Sequence, residues 1–152
     1  MRIVIALLSL SLWSIALHAN DRLIGTWKSD HAQSMHFDRT HSVLEAKQLA
    51  FLDQVLGHLV MTFKDEKVRY QMPDVPIVIN GKAYSLKGSD DTYKYRVLGA
   101  DEDSIAIFVV NQFGRDRILH LHFTSQDTFW IYSEESDVKL REINVREYFR
   151  RL

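Results

Sequence analysis

From residue 58 onward the apolar positions recur with a period of two, as strands with one buried face require. His58 to Phe63 and Val68 to Met72 read as short strands joined by Lys64-Asp65-Glu66-Lys67. Pro73 and Pro76 bracket a loop. Asn80-Gly81, set between Ile77-Val78-Ile79 and Lys82-Ala83-Tyr84, is a strong two-residue hairpin signal. Thr92 to Leu98, Ser104 to Val110, Arg117 to Phe123 and Thr128 to Tyr132 follow as further strands. Polar or glycine-containing turns separate them, at Ala100 to Asp103, Asn111 to Asp116 and Ser125 to Asp127. A last extended segment is read from Val138 to about Tyr148.

Ahead of these, Leu23 to Lys28 reads as a first strand, followed by a polar, turn-prone stretch from Ser29 to Thr40. Ser42 and Glu45 have the spacing of a capping box, in which each side chain satisfies a free amide of the first helical turn. Leu44, Leu49, Leu52, Val55 and Leu56 then fall close to a helical stripe. Gly57 is placed to end it in the left-handed conformation. The pattern therefore predicts one helix over 43–56, whose Leu49, Leu52 and Leu56 need a surface to cover. The fold class is all-β, a sandwich or, in preference, an antiparallel up-and-down barrel of about 8–10 strands with one helix after the first strand. The length of 152 residues suits one domain.

The first nineteen residues do not belong to that pattern. Met1-Arg2 is a short positive start, Ile3 to Leu17 is apolar apart from Ser9, Ser11 and Ser14, and Ala19 follows as a small residue. The run is short for a bilayer span, which takes about 20 residues, and suits a cleaved secretory signal. The expected organisation is a signal peptide over 1–19 and a barrel over 20–152, without a membrane span after cleavage. Export to a periplasm is expected, with secretion as the alternative. There are no cysteines, so disulfides, cysteine nucleophiles and thiolate metal sites are excluded. Exported domains without disulfides must bury a sufficient core, which a chain of this size can do. Nineteen Lys and Arg against twenty Asp and Glu give a net charge of −1, and nucleic-acid binding is not expected from that balance.

Gly25-Thr26-Trp27, at the start of the first strand, resembles the Gly-x-Trp signature of the lipocalin and fatty-acid-binding superfamily, the calycins. That resemblance implies a barrel in which Trp27 plugs one end, Gly25 allows close approach there, and an arginine from the last strand lies across the indole; Arg141 and Arg146 are the candidates. It also implies a small apolar or amphipathic ligand held in the barrel interior. The pair Arg146 and Tyr148 is similar to the Arg-x-Tyr with which the fatty-acid-binding branch grips a carboxylate, and Tyr93 and Tyr95 are candidate lining residues. Asp91-Thr92-Tyr93 departs in order from the lipocalin Thr-Asp-Tyr loop, and a helix after strand one is closer to the fatty-acid-binding branch.

Other chemistry is sparse. His120 and His122 share one face of a strand, a spacing that a metal or haem could use, and no motif supplies a third ligand. Opposite them, Leu119, Leu121 and Phe123 form the apolar face, so a solvated position is the plainer reading for the histidines. His31, His36 and His41 recur every five residues, which aligns on neither a helix nor a strand. No nucleophile elbow, His-Glu-x-x-His or phosphate-cradling loop is present, so no enzyme activity is expected. The favoured function is binding; the alternative is a non-enzymatic structural or interaction domain whose barrel is filled by its own side chains.

Overall fold

The computed structural model describes residues 20–112, 114–133 and 144–152. The expected signal segment and Arg141 lie outside them. Eight strands close into an antiparallel barrel, and an additional hairpin and two helices stand at one mouth. The barrel strands are β1 (Gly25–Ser29), β2 (Val60–Lys64), β3 (Lys67–Met72), β6 (Ser89–Ala100), β7 (Ser104–Gln112), β8 (Arg115–Ser125), β9 (Thr128–Tyr132) and β10 (Arg146–Arg151). Around the wall the order is β1-β10-β9-β8-β7-β6-β3-β2, so the first and last strands are neighbours and the sheet has no free edge. Strands β4 (Val75–Ile79) and β5 (Lys82–Leu86) form a separate two-stranded sheet turned by Asn80-Gly81, both at positive φ. This hairpin is inserted between β3 and β6.

Strand alternation sends one set of side chains inward. Trp27, Met61, Phe63, Ile107, Leu121 and Phe129 are all nearly or wholly inaccessible and belong to one continuous core. Most of the barrel interior is therefore solid protein. A helical turn over residues 20–23 covers the Trp27 end, with Leu23 fully buried and Arg22 donating to the Asp101 and Glu102 carbonyls.

Two helices, rather than one, follow β1. Helix α1 (His31–His41) occupies most of the stretch expected to be turns. Its pattern escapes an apolar-stripe reading because its buried residues are Ser34, Met35 and Asp38. The cue was local: Asp30 caps it by accepting from the Gln33 amide at 3.0 Å. Helix α2 (Ala46–Val55) starts three residues later than expected, with Glu45 and Gln48 as its capping box. Ser42 does not cap it; its hydroxyl donates to Asp38 Oδ1 and the Asn144 carbonyl.

The role of α1 follows from where β1 stops. Beyond Ser29, which pairs with Phe149, β10 has no β1 neighbour. Helix α1 supplies the missing acceptors: Arg146 N–H donates to Asp38 Oδ1 at 3.0 Å and Tyr148 N–H to Ser34 Oγ at 2.9 Å. The spacings match, since four helical residues rise about 6 Å and two strand residues about 6.6 Å. A polar pair four apart on α1 thus continues the sheet's hydrogen bonding. Helix α2 packs against β4 and α1.

Candidate functional site

Strand β10 fixes what faces the interior. Phe149 stands opposite Phe129 and Glu147 opposite Ile131, so Glu147, Phe149 and Arg151 share the inward face. Arg146 and Tyr148 face outward. This corrects the sequence expectation for both. Arg146 does not lie over Trp27; its guanidinium is 3.8 Å above Trp130 and 4.3 Å above Phe37, on the outer wall beneath α1. Tyr148 is buried against Phe37. The arginine over Trp27 is Arg151, at 4.2 Å. It is positioned by donating to the Ile24 and Arg22 carbonyls and to Asp127 Oδ1. Trp27 itself is fully buried, its Nε1–H donating to the Leu23 carbonyl at 2.8 Å.

The other candidates also have defined places. Tyr95 lies in the core, edge-on to Phe63, with its hydroxyl donating to Asn20 Oδ1 at 2.6 Å; burial, and then the charge of Glu66, push that hydroxyl up to about 12. Tyr93 is half-buried and edge-on to Tyr70. His120 is exposed and His122 is stacked on Trp130 at 4.1 Å. Desolvation first, then His120 and Arg146, lower the His122 imidazole below its usual value. Among the described residues no group of three or more His, Asp or Glu is placed to hold a metal.

Space remains at the mouth opposite Trp27. A cavity of about 670 Å³ runs beneath α2. Leu52, Val55 and Leu56 form one wall, Val78 and Ile79 of the hairpin another, and Glu147 borders it from the barrel side. A second cavity of about 250 Å³ lies inside the barrel mouth, bordered by Tyr70, Gln112, Arg117, Leu119 and Ile131. Glu147, Tyr132 and Ser133 border both. The expected covering role of the helix is thus partly met: Leu52 and Leu56 line the larger cavity, while Leu49 is half-buried elsewhere. Arg146, Tyr148, Tyr93 and Tyr95 line neither cavity.

Glu147 is the chemically distinctive residue of this mouth. The residue is partly exposed, and it borders both cavities. Burial pushes its carboxyl up to about 7; the Ser29 hydroxyl donates to it and opposes that rise, and the nearby Asp38 carboxylate adds to it. Asp38 is itself fully buried, and desolvation raises it despite the Arg146 amide, the Ser42 hydroxyl and the Arg146 charge. Its second oxygen, Oδ2, has no hydrogen-bond partner among the described residues. Glu147 stands in the sequence between Arg146 and Tyr148, and no sequence motif marks it out.

Comparison with family models, with curated proteins and with solved structures returned no significant match.

Proposed function

We propose that this chain is a calycin-like, non-enzymatic binding protein that holds one small apolar or amphipathic molecule at the open mouth of its barrel. One observation carries the reading: a cavity of about 670 Å³, walled by apolar side chains of α2 and β4, has a single carboxyl, Glu147, at its barrel side. Ligand sites have this character, being concave, mostly apolar, about 300–1,000 Å³ in volume and furnished with few polar groups. The eight-stranded closed barrel and the Trp27–Arg151 closure support the calycin-like part. The N-terminal apolar run supports export, to a periplasm or to the medium. The deep lumen is less suited to a ligand, because aromatic side chains occupy it.

That same filling favours a second reading, a structural or interaction domain with no small-molecule ligand. Nile red, an uncharged fluorophore whose emission shifts to the blue in apolar surroundings, separates the two. Saturable uptake by the protein, lost when Leu52→Trp narrows the cavity, supports binding. No uptake at all leaves the filled barrel.

A further inference from the structure

The position of Glu147 says what kind of molecule the cavity selects. We propose that the ligand is a cationic amphiphile, a protonated amine carrying one hydrocarbon arm, with its ammonium seated on the Glu147 carboxylate and its arm lying beneath α2 along Leu52, Val55 and Val78. The inference rests on the binding reading above and narrows it to one ligand class.

Three observations converge on it. First, Glu147 is the only acidic side chain bordering the larger cavity among the described residues. The one basic residue there, Lys47, is an exposed rim residue already paired with Glu45 at 3.0 Å. The inner polar end of the cavity is therefore acidic. Second, Glu147 has the Ser29 hydroxyl as donor and a like-charged neighbour in Asp38, and Arg117 is the one cationic side chain among the described residues that borders the inner cavity with it. Burying a carboxylate is costly, and a charge-assisted hydrogen bond from an ammonium would offset part of that cost. Third, the apolar wall extends away from Glu147 along α2 and the hairpin to Val78 and Ile79. Head and arm thus have complementary surfaces in one continuous space. An anionic head group, as on a fatty acid, would meet the carboxylate at that same place and be repelled.

The groups facing Glu147 from the surrounding elements are Asp38 on α1, Ser29 on β1, Lys47 on α2, Tyr70 on β3, Arg117 on β8 and Tyr132 on β9. The hairpin contributes apolar residues and Asn80. The range of interest is pH 5 to 8, where a carboxyl raised by burial can change its charge. Burial raises Glu147 to about 7, which puts its loss of charge inside the range.

Displacement of nile red by decylamine, decanol and decanoate, each below its aggregation concentration, tests the inference. At pH 8 decylamine should bind at least tenfold more tightly than decanol, and decanoate more weakly than either. The amine preference should vanish in Glu147→Gln. In the unaltered protein it should also shrink toward equality at pH 5, where decylamine and decanol keep their own charge states; this arm decides the matter should the variant fail to fold. Decylamine binding no better than decanol, decanoate binding best, or a preference that survives Glu147→Gln would overturn the amine assignment and leave the binding reading standing. Failure of nile red and all three chains to bind would overturn both.

Discussion

The guanidinium of Arg151 lies 4.2 Å over the indole of Trp27, joining the last strand to the first across the seam that closes the barrel. Phe129 packs on the indole from inside, with ring centroids 4.7 Å apart. Trp27→Ala should cost about 3–5 kcal/mol, as for other large buried aromatics. Arg151→Ala should cost less, about 1–3 kcal/mol, through the cation–π contact and the carbonyls it leaves unpaired. Urea denaturation of both single variants and the double variant measures this, and the double should be less destabilised than the sum of the singles.

Gly25 is part of the same closure. Its φ is +132°, and a Cβ there would stand 2.8 Å from Arg151 Nη1. Gly25→Ala should destabilise by about 1–3 kcal/mol, from backbone strain together with displacement of the arginine. Denaturation in the Arg151→Ala background should recover the second contribution and leave the first.

Helix α1 completes the hydrogen bonding of β10, so its polar anchors should matter more than its apolar residues suggest. Ser34→Ala leaves the Tyr148 amide without its acceptor and should cost about 1–3 kcal/mol. Hydrogen exchange offers a local check: the Tyr148 amide should lose protection, while the Phe149 amide, which faces β9 opposite Phe129, keeps it.

Glu147 makes stability depend on pH in a defined sense. Its carboxyl is raised from 4.5 to about 7 on folding, so the folded state holds the proton more tightly than the unfolded chain. The stabilisation is fully present below pH 4.5 and is lost as the pH rises through 7, by about 3 kcal/mol at most. Asp38, also raised, acts in the same direction. Thermal unfolding between pH 4 and 8 should show this decline, and Glu147→Gln should reduce it.

Much of the barrel was legible because its strands alternate cleanly. Leu119, Leu121 and Phe123 against His120 and His122 fix the phase of β8 without ambiguity. The last strand was harder. Tyr148 and Phe149 are adjacent aromatics, both buried, one under α1 and one in the core. Their neighbourhood gives two equally apolar phases, and the Arg-x-Tyr resemblance corresponds to the one with Arg146 and Tyr148 inward, whereas the structure turns Glu147 and Phe149 inward. Helix α1 was missed for a related reason: it docks through Ser34 and Asp38, polar residues with partners far along the chain. The mouth cavity was not legible, since α2, the hairpin and β10 meet only in three dimensions.

Titration of isotopically labelled protein with decylamine, followed by amide and side-chain chemical shifts, tests the mouth-site reading most directly. Shifts should concentrate at Leu52, Val55, Val78, Ile79 and Glu147, while the Trp27 indole and Phe129 at the closed end stay unchanged. Perturbation centred on Trp27 and Phe129, or no saturable perturbation anywhere, would contradict a binding site at the open mouth.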